Sequence, residues 1–332
     1  MNRLFALLWI ALLTGCAAPP LRGTGDLGLV IERASGQVTL VDTSRREPYA
    51  RIGGFGDLSH ASVVYSRDGR YAYVFGRDGG LTKVDMLTAR IVRRVLQSGN
   101  AIGGSISQDG GIVVAQNYTP GGIKAFDAET LELLSEVPAE YAPGSFSKVV
   151  GLADLSGNRF AYALFDGGEI WVSDFSDPRR PRTQRYPAGL QPYDGLVTPD
   201  GRYYLAGLFG EDGVALLDTW QPEQGSRRIL ANYGRGQEKL PVFKMPHLRG
   251  WSLAQGNAYL PAIGRHEVLV VSGSDWREVG RIKVKGQPDE VISTRKKVRR
   301  KTPLFRNGEK FHALYAIRTG VFKTCVTAED GR

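Results

Sequence analysis

The chain has 332 residues, of which 42% are hydrophobic, with 42 glycines, 17 prolines and a net charge of +9. That length carries one large domain or two ordinary ones, and glycine-rich composition with many Val, Tyr and Phe favours short strands and tight turns over helices. From Asp289 onward 11 Lys and Arg face 5 Asp and Glu, so +6 sits in the last stretch and +3 on the rest; a nearly balanced body gives no electrostatic ground for a nucleic-acid partner.

The chain starts with "MNRLFALLWIALLTGCAAPP". Arg3 supplies a positive start, and Leu4 to Leu13 form an apolar run too short to span a bilayer. The Leu13-Thr14-Gly15-Cys16 ending resembles the lipobox of bacterial lipoproteins. Residues 1–15 therefore read as a lipoprotein signal peptide whose cleavage leaves Cys16 acylated, rather than as an ordinary secretory peptide. This predicts a periplasmic protein held at a membrane by its lipid, and Ala17 in place of an Asp favours the outer membrane. With Cys16 acylated, Cys325 is left without a disulfide partner.

Residues 16–28 read as a tether. Its "GTGDLG" matches Gly-x-Gly-x-x-Gly, and Asp42 lies at a suitable distance beyond it. A dinucleotide site needs a strand before that loop and a helix after it. Here a Pro-containing segment precedes it and "LVIERASGQVTLVD", two strands around a turn, follows, so no nicotinamide cofactor is expected.

The body from residue 29 to 288 repeats. A short strand closing in Asp recurs at Asp42, Asp85, Asp127, Asp174 and Asp218, with gaps of 43, 42, 47 and 44 residues. Between these lie "SRDGRYAYV", "SQDGGIVVA", "LSGNRFAYA" and "TPDGRYYLA", each a polar turn opening an alternating strand. Asp-Gly and Gly-Asn suit hairpin turns because they tolerate positive φ. Four short strands in a little over forty residues is the spacing of a β-propeller blade, and about six such units are readable. The fold class is all-β. Doubly wound α/β domains are excluded because no stretch has the length and periodicity of a core helix. Asp68, Asp109 and Asp200 are turn residues without assigned chemistry.

The four histidines show no zinc-type spacing, and no nucleophile elbow is present. His60, in "GGFGDLSHASV", and His247, in "KMPHLRGWS", fall in loops that open toward the channel. Taken alone, a loop His in a propeller is more often a hydrogen-bonding strut than a ligand.

"LSHASVVYSRDGRYAYVFGRDGGLTKVD" resembles a blade of the d1-haem propeller of dissimilatory nitrite reductase. Without any Cys-x-x-Cys-His for a c-type haem, the chain is most similar to the NirF-type d1-haem biosynthesis proteins of denitrifying bacteria, over about residues 21 to 288. The resemblance implies eight blades holding d1 haem or a precursor, with His60 as proximal ligand of the haem iron and His247 on the distal face. It also implies two protein partners, nitrite reductase and its d1-haem-maturation paralogue. The family's activity, if any, would be oxidation of the tetrapyrrole.

A tetrapyrrole carrying several carboxylates suits an imidazole for the iron and guanidinium forks for the acids. Arg77 in "FGRDGG" and Arg249 in "PHLRGW" stand near the two histidines, although a turn arginine can equally solvate a rim. Tyr193 in "QPYDG" occupies a further channel-side loop and, with His247, is a candidate catalytic donor. The competing reading is a scaffold or carrier that binds haem or partner proteins without catalysis. A carbohydrate-active propeller would need paired carboxylates that the sequence does not place.

Residues 289–332 break the period. They hold six basic residues in the seven from Arg295, and no Asp-Gly turn until the last few residues. They read as an atypical basic tail, consistent with a shifted reading frame after about Pro288.

Overall fold

The computed structural model describes residues 23–231, 251–262 and 265–286. Helix among them is confined to short 3-10 turns such as Thr24–Asp26 and Pro222–Gln224. Six antiparallel sheets follow one another, called blades 1 to 6 here. Blade 1 holds β1 (Leu27–Glu32), β2 (Gln37–Asp42) and β3 (Glu47–Ile52). Blade 2 holds β4 (Ser62–Tyr65), β5 (Tyr71–Phe75), β6 (Gly80–Asp85) and β7 (Arg90–Leu96). Blade 3 holds β8 (Asn100–Ile106), β9 (Ile112–Thr119), β10 (Gly122–Asp127) and β11 (Leu133–Val137), followed by a hairpin of β12 (Glu140–Ala142) and β13 (Ser145–Phe146). Blade 4 holds β14 (Val149–Leu155), β15 (Arg159–Leu164), β16 (Glu169–Asp174) and β17 (Arg182–Pro187). Blade 5 holds β18 (Pro192–Val197), β19 (Tyr203–Leu208), β20 (Val214–Asp218) and β21 (Ser226–Ile229). Blade 6 holds β22 (Ser252–Ala254), β23 (Asn257–Ala262), β24 (Glu267–Ser272) and β25 (Glu278–Lys283).

The repeated residues have mechanical roles. Each closing Asp ends a strand, the third of blades 2 to 5 and the second of the three-stranded blade 1, and accepts backbone N–H groups from the turn that follows. Asp42 takes those of Ser44 and Arg45, Asp85 those of Leu87 and Thr88, and Asp127 those of Glu129 and Thr130. A short carboxylate two or three residues before a turn N–H is the Asx geometry that makes Asp a turn former. In two blades the same Asp also holds the arginine that opens the second strand, Arg70 to Asp85 at 3.1 Å and Arg202 to Asp218 at 2.7 Å. The first turn works similarly: Asp68 accepts from the Ser66 hydroxyl and the Arg70 N–H, and Asp109 from the Ser107 hydroxyl and the Gly111 N–H.

The first strands β4, β8, β14 and β18 of consecutive blades lie against one another, which makes them the inner strands of a propeller. Hydrophobic clusters fill the spaces between neighbouring sheets. One joins blades 4 and 5 through Val150, Ala161, Tyr204, Ala206 and Leu217; another joins blades 2 and 3 through Phe75, Leu81, Ile106 and Val113. Polar ties cross the same seams: the Tyr73 hydroxyl donates to the Ala128 carbonyl and the buried Lys83 Nζ to the Glu129 carbonyl, both at 2.8 Å. Blades 4 and 5 come so close that a Cβ on Gly151 would stand 2.6 Å from the Gly195 nitrogen, and Gly151 has φ +65. The Tyr204 hydroxyl closes that seam with a 2.8 Å bond to the Gly151 carbonyl.

Two boundaries differ from the sequence expectation. The tether expected over residues 16–28 ends earlier, because Thr24 donates to the Asp68 carbonyl, Thr43 N–H bonds the Asp26 carbonyl, and β1 begins at Leu27. The Gly-x-Gly-x-x-Gly stretch thus leads into a strand, and Asp42 is a turn cap. The widest gap between closing Asp residues, from Asp127 to Asp174, contains the extra hairpin β12–β13. The basic tail after residue 288 lies outside the described residues.

Candidate functional site

In a blade whose four strands pair in chain order, the loop into the first strand and the turn between the second and third emerge at one end. The Asp-Gly turns and closing Asp caps occupy the other. The first end therefore gathers every described candidate, and the ties just described leave it free for chemistry.

His60 ends the loop 53–61 that enters blade 2, exposed on this rim. Phe55 and Leu58, each 1% exposed, root that loop in the core. Asp57 within it accepts the Ser59 N–H at 2.8 Å. The Ser59 hydroxyl and N–H hold the Asp57 carboxyl below the usual range, and the Arg77 charge adds to this. Arg77 sits in the β5–β6 turn with its N–H on the Asp57 carbonyl, 2.8 Å away. Its guanidinium carbon lies 5.5 Å from the centre of the Tyr118 ring. Among the described residues no carboxylate stands within salt-bridge distance of Arg77, so its fork is available for an outside acid.

Tyr118 comes from the end of β9. Burial pushes its phenol pKa up, the neighbouring Tyr193 hydroxyl adds to this, and Arg77 opposes. It is a neutral hydrogen-bond donor at any physiological pH. Tyr193 reaches this point from blade 5. It lies within the strand β18 rather than in the loop expected from sequence, at a place where the β18–β19 register shifts between Tyr193 and Leu196. Asp194, beside it, has φ +56. Such a bulge turns a strand side chain away from its regular direction, here toward the neighbouring blades.

Phe165 and Phe209 complete the surface. Their ring centroids are 6.0 Å apart, and each lies about as far from Tyr193, at 5.9 Å and 6.0 Å. Beside Phe165, Lys148 at the head of β14 places Nζ 5.1 Å from the Phe165 centroid and 2.9 Å from an Asp166 carboxylate oxygen. A cleft of about 450 Å³ adjoins, lined by Asp166, Gly167, Gly168, Gly189, Leu190, Gln191 and Gly210. Two buried polar atoms at the heads of inner strands, Ser62 Oγ and Asn100 Oδ1, have no hydrogen-bond partner among the described residues.

Side chains from four consecutive blades thus form one band: a guanidinium, two phenols, two phenyl rings and an ammonium. Flat apolar area flanked by cations is matched to a planar, acid-bearing ligand. Of the residues named from sequence, the structure joins Arg77 and Tyr193 through Tyr118 and puts His60 on the same rim. His247, Arg249 and Cys16 lie outside the described residues. Tyr118, Phe165, Phe209 and Lys148 were missed.

Residues 22–303 match the cytochrome D1 heme domain family. The chain belongs to that family. It is 58% identical over 295 residues to the protein NirF of Pseudomonas aeruginosa, covering 88% of this chain and 75% of that one. To NirF of Stutzerimonas stutzeri it is likewise 58% identical, over 297 residues, with 88% and 76% covered. Among solved structures it is similar to the dihydro-heme d1 dehydrogenase NirN in complex with DHE, at 26% identity and a TM-score of 0.67. That match covers 84% of this chain and 58% of the dehydrogenase chain.

Proposed function

We propose that this chain binds a d1-type tetrapyrrole, as substrate or cargo, during d1-haem biosynthesis for nitrite reductase. The observation that carries the reading is the rim band itself, with Arg77, which no described carboxylate salt-bridges, beside a Tyr118–Tyr193 pair and an aromatic floor. The residues fit the group. Arg77 would fork a peripheral carboxylate, Tyr118 and Tyr193 would donate to ring substituents, Phe165 and Phe209 would pack against the macrocycle, and His60 would offer an imidazole to the iron. When bound, the tetrapyrrole supplies redox-active iron and an oxidisable ring; the protein's part is to position it and to neutralise its acids.

Oxidation of the bound ring is a second reading, supported by 28% identity over 271 residues to the dihydro-heme d1 dehydrogenase of Pseudomonas aeruginosa. The reading also includes export, with acylated Cys16 anchoring the protein on the periplasmic side of a membrane, and His247 and Arg249 completing the site. Handover to nitrite reductase and to its maturation paralogue belongs to the same proposal.

Titration of the purified protein with d1 haem tests it. Iron–imidazole coordination dominates the visible spectrum of such a complex. Binding by the wild type with a changed spectrum for His60→Ala supports the ligand role; identical spectra and affinities for the two proteins would remove it.

A further inference from the structure

Arg77 of blade 2 lies beside Tyr118 in the aromatic band, and a second cation, from blade 4, lies beside Phe165. Lys148 is held by three features. Its Nζ contacts both Asp166 oxygens, at 2.9 Å and 3.1 Å, and its backbone N–H donates to the same carboxylate at 3.0 Å. Its ammonium also faces the Phe165 ring. Asp166 is fixed independently, because its N–H bonds the Ser147 hydroxyl at 2.8 Å. Yet the pair is not sealed: the Lys148 side chain is 44% exposed and that of Asp166 32%. An exposed pair of this kind contributes little to stability. A lysine pre-aimed by its counter-ion beside a flat apolar floor is instead positioned to change partners.

We infer that Lys148 is a second acid anchor of the rim, exchanged from Asp166 to a peripheral carboxylate of the bound tetrapyrrole, with Asp166 as the competing internal anion. This rests on the tetrapyrrole-binding reading above. No covalent step is involved: the ammonium trades one carboxylate for another, and Asp166 turns to water in the open cleft lined by Gly167 and Gly168. Arg77, beside Tyr118, and Lys148, beside Phe165, then hold acids at two places on the band. The site selects ligands that carry more than one acid.

The two members of the pair make opposite predictions. Lys148→Gln removes the anchor and weakens d1-haem binding roughly threefold to tenfold. Asp166→Asn removes the competitor while its amide oxygen still accepts the Lys148 N–H, so binding tightens about twofold to fivefold. A purely structural pair cannot do this, since losing either member would move affinity in one direction or not at all. Absorbance titrations use ferric d1 haem and d1 haem with its carboxyls methylated, on the wild type, both variants and Lys148→Arg, with thermal unfolding as a check on folding. The expected result is opposite shifts for the two variants with free-acid d1 haem, retention by Lys148→Arg, and no difference between Lys148→Gln and wild type with the ester. Wild-type binding with unchanged or parallel shifts in the two variants overturns the inference and leaves tetrapyrrole binding standing. Failure of the wild type to bind d1 haem overturns both.

Discussion

Gly56 lies in the loop that carries His60, and replacing it with Ala tests whether the rim depends on a single close approach. Gly56 has φ +77, and an added Cβ would fall 2.1 Å from the Asp78 carboxylate and 2.5 Å from the Arg94 guanidinium. Those two groups are a partly buried ion pair at 2.6 Å. Arg94 also donates to the Phe55 carbonyl at 3.2 Å, so the pair buttresses the loop from beneath. Asp78 has little room to yield, because its other oxygen accepts the Gly80 N–H at 3.0 Å.

An alanine at such a φ costs about 1–2 kcal/mol. Disturbing a charge-assisted bond that cannot re-form elsewhere adds about 1–2 kcal/mol. Gly56→Ala should therefore lower unfolding stability by about 2–4 kcal/mol, measured by urea denaturation, and weaken d1-haem binding as the His60 loop lifts. Gly53→Ala is the control in the same loop, since its Cβ would meet only the Gln37 Cγ at 3.9 Å. It should stay within about 0.5 kcal/mol of wild type. Equal stability of the two variants would refute the argument.

Two further outcomes follow. Burial works against the ionised Asp85, but the Thr88 N–H, the Arg70 guanidinium and the Leu87 N–H outweigh it and hold its carboxyl below the usual range. A depressed carboxylate stabilises the fold above its unfolded pKa and loses that contribution as pH falls through the folded value. Asp85→Asn should thus cost about 1–3 kcal/mol at pH 7, with the gap from wild type narrowing below about pH 4; a gap of constant size in urea midpoints across that range would contradict this. Cys16→Ala should move the protein from the membrane to the soluble fraction in a bacterial host, because a lipid chain contributes about 0.8 kcal/mol per buried methylene; membrane retention of that variant would point to another anchor.

The scaffold was legible because its causes are local. A closing Asp caps the next two or three residues in blades 1 to 5, and an Asp-Gly turn held by its own Ser or Thr opens the second strand in blades 2, 3 and 5, so both can be read from a few adjacent residues. The site was less legible because its partners are remote in sequence: Arg77 meets Tyr118, and Tyr118 meets Tyr193, only once blades 2, 3 and 5 are stacked. The register shift in β18 that places Tyr193 has no marker in "QPYDG" beyond the Asp-Gly pair, which reads as an ordinary turn. That is why Tyr193 was expected in a loop.

A signal for the missed residues nonetheless lies in the blade period. Tyr118, Phe165 and Phe209 each stand nine residues before the closing Asp of their blades, at Asp127, Asp174 and Asp218. The corresponding position in blade 2 is Gly76, and Arg77 follows it. A Cβ at Gly76 would strike the Asp57 carbonyl and the Asp78 carboxylate, at 3.0 Å and 2.8 Å, so the loop bearing His60 occupies the space that an aromatic ring fills in the next three blades. One position on the rim therefore carries three rings in succession and, in the blade before them, gives way to the loop that brings the histidine. The position keeps a ring in three blades because those rings share one space, and loses it only in blade 2, where the histidine loop fills that space. Aligning the blades and reading the turn between second and third strands picks out the aromatic wall directly, and reading the residue before each inner strand adds Lys148 to it.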